Sequence, residues 1–229
     1  MLTALCRATY ALTLPPMRRV VALSLGFAML TFAALWVAVA SVLYNAAFFE
    51  WRPLNWLVDV LGGLAVLVLS WLLFPAVVTA IMSFFLERIA ATIEALDYPG
   101  RGPPRHQRIG ETIAATLRLM GLTLLLNLLA LPVYLLVPGI NLFLFLSLNG
   151  YLLGREYFEV VALRRLDPAA AKAARNRFGL RVFLGGVMIA ALFSLPFVNL
   201  VAPVIATAFM VHLFEALPRV EGHLLGRIP

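Results

Sequence analysis

Two adjacent arginines, Arg18 and Arg19, follow Pro15-Pro16 and open a long apolar run. That arrangement can hold an oxyanion. A helix N-terminus offers free N–H groups and the positive end of the helix dipole, and a guanidinium adds charge-assisted hydrogen bonds. The same pair also serves as an orientation anchor, because Lys and Arg collect on the cytoplasmic side of membrane spans. Residue types leave both readings open.

A second candidate feature is a short internal repeat. Pro138-Gly139-Ile140-Asn141-Leu142 recurs as Pro196-Phe197-Val198-Asn199-Leu200, with Pro203 just beyond. Repeated broken helices mark substrate sites in transporters. The plainer reading is two similar turns, in which proline stops one helix and asparagine caps the next. Asn127, Asn141, Asn149 and Asn199 all lie in apolar surroundings and need partners. They either bond between helices or line a path.

Other chemistry is missing. There is no phosphate-binding Gly-rich loop with Lys, no His-Glu-x-x-His and no nucleophile elbow, so no enzyme, catalytic residue or cofactor is expected. Cys6 is the single cysteine and can form neither an internal disulfide nor a Cys-rich metal site, and no metal site is expected. Glu156 and Glu159, beside Arg155 and Arg164, suggest ion pairs. His212 is the one side chain in the apolar stretches that ordinarily titrates near neutral pH, and it is expected simply to be hydrogen-bonded. With no carboxylate there, coupling to protons lacks its usual relay, and a passive, channel-like route fits any anion transport better.

These residues are set in a chain that is 63% hydrophobic and 13% charged. Soluble domains run at about 45–50% and about 25%. So much apolar surface must meet lipid, and an all-α membrane protein of one domain is expected. The formal charge of +7 reads as membrane-flanking Lys and Arg, not as a nucleic-acid surface, since no basic run is interleaved with aromatics. Ala38-Val39-Ala40 resembles a signal-cleavage site, but the apolar run continues to Phe49, so an uncleaved first span is expected.

Four stretches lack Asp, Glu, Lys and Arg: Val20–Phe49, Val60–Leu86, Leu119–Gly154 and Val182–Phe214. A span needs about 20 apolar residues. The chain therefore divides into an interfacial segment (1–19), transmembrane helices at 20–49 and 60–86, a hairpin at 119–154, a cytosolic helical segment at 155–181 with Asp167 capping a helix at Pro168, a hairpin at 182–214, and a tail at 215–229. The hairpins break at Pro138-Gly139 and between Pro196 and Pro203. Val182–Leu195 is too short to cross the hydrocarbon; Leu119–Val137 leaves a full span open. With both stretches folded back, every basic residue except Arg52 falls on one side. The positive-inside rule makes that side cytoplasmic, with both termini on it.

In order and spacing these features resemble the CysZ-type sulfate transporter family, the bacterial branch of the etoposide-induced-protein 2.4 domain family. The stretches that carry the resemblance are Leu14-Pro15-Pro16-Met17-Arg18-Arg19-Val20, Phe74-Pro75, Val137-Pro138-Gly139-Ile140 with Tyr151 to Tyr157, and Leu195-Pro196-Phe197-Val198-Asn199-Leu200 with Ala202-Pro203. The resemblance implies two long spanning helices, two hairpins that partly cross the bilayer, and a homo-oligomer. It also implies an inner-membrane sulfate permease feeding cysteine synthesis, with the sulfate-contacting arginines at Arg18 and Arg19. The competing reading is a membrane protein that transports nothing and scaffolds partners or shapes the bilayer.

Overall fold

The computed structural model describes residues 1–45, 52–107 and 109–218. Residues 46–51, the end of the expected first span and the start of the loop after it, residue 108 and the tail beyond 218 lie outside the described residues. All the described elements are helical: α1 (Leu2–Ala11), α2 (Pro15–Asn45), α3 (Arg52–Ser83), α4 (Leu86–Asp97), α5 (Ile109–Leu136), α6 (Asn141–Ala162), α7 (Pro168–Arg177), α8 (Gly179–Ser194) and α9 (Ala202–Glu215). They form two compact units, one of residues Pro15–Phe85 and one of Met1–Leu14 with Leu86 onward.

The first unit is an antiparallel pair. Pro15 and Pro16 are tolerated at the start of α2 because the first helical N–H groups have no intrahelical partner. Trp36 Nε1 donates to Ser70 Oγ at 3.2 Å, and Phe32 lies against Phe74 with ring centroids 5.7 Å apart. Each four-residue step back along α2 is thus a four-residue step forward along α3. Continued, this register sets Ala28 opposite Val78 and Ser24 opposite Met82, and all four are buried. The other face of α2 exposes Leu23, Phe27, Leu30 and Val37, as a lipid-facing helix does. α3 runs through Pro75 to Ser83.

In the second unit both proline breaks are present. α5 ends at Leu136 and a 3-10 turn follows over Pro138–Ile140. α8 ends at Ser194, and a 3-10 turn over Val198–Leu200 leads to α9, whose second residue is Pro203. α5 begins at Ile109, well before its apolar stretch, because Glu111 and Arg118 sit on a helical pattern that nothing interrupts. Its apolar part, Ile113–Leu136, is 24 residues and long enough to cross a bilayer, as is Pro15–Ser41 of α2. This first hairpin is therefore unequal, with one arm of full spanning length.

α6 and α8 cross at glycines. A Cβ built on Gly154 would meet the Val182 carbonyl oxygen at 2.6 Å, and one on Gly150 would meet Val187 Cγ2 at 2.5 Å. α9 is the centre of this unit: every residue from Ala202 to Leu213 is buried, under α1, α4, α6 and α8. A helix that is apolar all round belongs inside. α1 lies on α9 and buries Ala8 and Ala11 while Tyr10 points away. As expected, Asp167 caps α7, its Oδ1 accepting from the N–H groups of Ala169 and Ala170 at 2.9 Å each. α7 and α8 then meet at a bend of 87°.

Candidate functional site

Arg18 and Arg19 are the fourth and fifth residues of α2, not residues preceding it. Two prolines at the helix start extend it backwards past the arginines. Both side chains are exposed and make no hydrogen bond or ion pair with the described residues. The prolines also change the backbone chemistry. Of the N–H groups that an α-helix leaves free at its start, Pro15 and Pro16 supply none, and that of Leu14 is taken by the Ala11 carbonyl at 3.1 Å. Met17 supplies the one remaining N–H before Arg18. An anion held at this point would meet the two guanidinium groups and the dipole, not a cradle of backbone donors.

The hairpin-tip residues belong to the other unit. Pro138 and Gly139 form the first 3-10 turn, and Asn141 is the first residue of α6. Pro196 opens the second break, Asn199 is the middle of its 3-10 turn, and Pro203 lies in the first turn of α9. Neither asparagine caps a helix. The residue at the cap of α6 is Ile140, with no side-chain cap bond; the 3-10 turns occupy the cap positions and push the asparagines one step off. Their Oδ1 atoms share a property instead: each is buried without a hydrogen-bond partner. The repeat thus places an unsatisfied acceptor at each tip. Asn127 and Asn149 differ, donating to the carbonyls of Thr123 and Phe145 in their own helices at 2.8 and 2.9 Å. Neither of these bonds joins two helices.

A buried ionic cluster, not anticipated from the sequence, ties α4 to the end of α6. Arg164 donates in a fork to Glu94, Nε to Oε1 at 3.1 Å and Nη2 to Oε2 at 3.2 Å. Arg164 is 3% exposed and Glu94 5%. Arg165 also donates to Glu94, and the Arg164 carbonyl accepts from the Arg105 N–H at 2.8 Å. Arg164 is thus committed to α4 rather than to Glu156 or Glu159. Glu159 does pair, accepting from Arg155 Nε at 3.0 Å and from Arg175. Glu156 has no hydrogen bond or ion pair, and burial raises its carboxyl above the ordinary range.

His212 is hydrogen-bonded as expected, with Nδ1 3.0 Å from the Tyr98 hydroxyl. Its Nε2 stands 3.5 Å from Asp97 Oδ2, too long for a good bond. Among the described residues no group of His, Cys, Asp and Glu could hold a metal ion.

No curated protein matches the chain. Residues 4–203 match the family described as sulfate transporter CysZ/etoposide-induced protein 2.4. That match takes in most of α1, all of α2 to α8, both breaks, and the arginine pair. An all-helical architecture with apolar spanning helices and proline-broken pairs, matched over nearly its whole length, makes this chain a membrane protein of the sulfate transporter CysZ/etoposide-induced protein 2.4 family.

Proposed function

We propose that this protein is a bacterial inner-membrane permease for sulfate or a related small oxyanion, acting as a channel-like passive route that feeds sulfur assimilation. The observation that carries the reading is the family match over residues 4–203. Arg18 and Arg19 are the anion contacts: two exposed, unpaired guanidinium groups in the first turns of α2. The tips at Pro138, Gly139 and Asn141 and at Pro196, Asn199 and Pro203 line or shape the path, each carrying a buried, unpartnered asparagine acceptor. The absence of any Asp or Glu in the four apolar stretches favours flow down a gradient over proton coupling. The chain acts as a homo-oligomer in the bilayer, both termini cytoplasmic and its two hairpins entering from that side.

A second reading is a scaffold or bilayer-shaping role. It is favoured by the apolar tips, where Leu142, Phe143 and Phe197 stand exposed as wedges for lipid. Expression in a bacterium lacking its own sulfate uptake separates the two. A permease restores growth on sulfate as sole sulfur source and fails to when Arg18 and Arg19 are both Gln. A scaffold restores nothing.

A further inference from the structure

A cleft of about 730 Å³ lies between the start of α5, the end of α6 and α7. Its lining brings together Arg118, Arg155, Lys172 and Arg175 with two carboxylates, Glu111 and Glu159. We propose that this cleft is an oxyanion site. It takes a tetrahedral anion of the sulfate or phosphate class, either free or as the phosphate of an acidic lipid headgroup. It contains neither Arg18 nor Arg19 and does not rest on the permease reading.

The argument is one of unbalanced charge in a concave place. Glu111 is engaged by Arg105 at 2.6 Å, which stands outside the lining. Glu159 is shared by Arg155 and Arg175. One carboxylate cannot neutralise two guanidinium groups, so that trio stays positive while Glu159 fixes where both arginines point. Arg118 and Lys172 add two more cations, exposed and with no hydrogen bond or ion pair among the described residues. Four cations from three helices thus converge on one hollow instead of spreading over the surface. Low-dielectric walls focus such a field and concentrate anions within it. Arg155 and Arg175 also line a neighbouring hollow with Tyr151 and Asn176. An anion supplies what the protein leaves out: charge-assisted bonds to preorganised guanidinium groups.

Position supports a lipid source as strongly as a free one. Arg118 is the last charged residue of α5 before the apolar stretch that starts at Leu119. The cleft therefore opens where the apolar surface begins, which is headgroup height in a bilayer.

The test uses the full-length protein in nanodiscs. In neutral phosphatidylcholine discs, inorganic sulfate and inorganic phosphate are titrated at constant ionic strength held with chloride. In a second arm, discs containing phosphatidylglycerol are compared with neutral ones for lipid retained on the protein by native mass spectrometry. The variant is Arg118→Gln with Lys172→Gln, two side chains that hold nothing else in place. Binding of free anion lost at least tenfold in the variant supports a free-oxyanion site; loss confined to retained phosphatidylglycerol supports a headgroup site. Both proteins are compared in an Arg18→Gln, Arg19→Gln background, so that the α2 arginines contribute to neither signal. If the double variant does not fold, Arg118→Gln alone is read, with a severalfold loss expected. Parent and folded variant binding sulfate, phosphate and phosphatidylglycerol equally would overturn the proposal.

Discussion

Gly186 of α8 lies so close to Gly150 of α6 that a Cβ built on it would stand 1.8 Å from the Gly150 carbonyl oxygen. The neighbour is backbone, which cannot turn aside as a side chain can. Gly186→Ala must therefore push α6 and α8 apart and disturb the central packing of the second unit. The expected cost is about 3 kcal/mol or more, at or beyond the upper end of ordinary overpacking. It is read as a large drop in the thermal midpoint of the detergent-purified protein. Gly26→Ala, where nothing lies within 4 Å, should leave the midpoint unchanged or raise it slightly, as alanine favours helix.

The two breaks distribute their backbone demands unexpectedly. Gly139, in the first, has open space for a Cβ and no left-handed φ. Phe197, at the equivalent place in the repeat, has φ 64° and is 85% exposed. A non-glycine residue there costs about 1–2 kcal/mol. Phe197→Gly is therefore expected to keep or modestly raise the thermal midpoint, and Phe197→Val to lower it, because β-branching tolerates that φ least. Gly139→Ala should be silent. Equal effects of Gly and Val at 197 would contradict the strained turn.

The Glu94–Arg164 fork predicts a further asymmetry. Arg164→Met leaves Glu94 buried with only Arg165 beside it, and breaking a buried pair from one side costs about 3–5 kcal/mol. Removing both charges, as Glu94→Gln with Arg164→Met, should recover much of that loss. A double variant as unstable as the sum of its singles would show that the two side chains act independently.

Glu156 gives a prediction in pH. Burial raises its carboxyl above the ordinary glutamate value of 4.5, so the folded protein binds its proton more tightly than the unfolded chain. That penalty on the charged form is absent well below pH 4.5, grows as pH rises through the folded value, and is complete above it. Glu156→Gln should therefore stabilise the protein at neutral pH, with an advantage over wild type that shrinks on acidification. An advantage independent of pH would place its cause elsewhere.

What the sequence conveys about this fold is largely what acts locally. Proline stops a helix through its own ring and missing N–H, so the breaks at Pro138 and Pro196 are legible, as is the Asp167 cap before Pro168. The Gly150-x-x-x-Gly154 spacing is a visible sign of close helix packing, but its partners on α8 are set by tertiary structure. The same holds for Arg164, whose ion-pair partner lies on α4 and not on its own helix. The asparagines mislead because a 3-10 turn takes the cap position that an α-helical start would give them. The arginine pair is legible as chemistry, while the way Pro15 and Pro16 draw it into the helix and strip the start of donors emerges only once the helix boundary is known.

The most direct test of the permease reading is sulfate flux into liposomes holding the purified protein, with an outward-to-inward sulfate gradient and no pH difference across the membrane. The account predicts uptake above empty liposomes that an imposed proton gradient does not increase. It predicts loss of that uptake when Arg18 and Arg19 are both Gln, and partial retention with both Lys, because a point charge survives where the forked contact is lost. Sulfate entering no faster than into empty liposomes, with the protein folded and inserted, would contradict it.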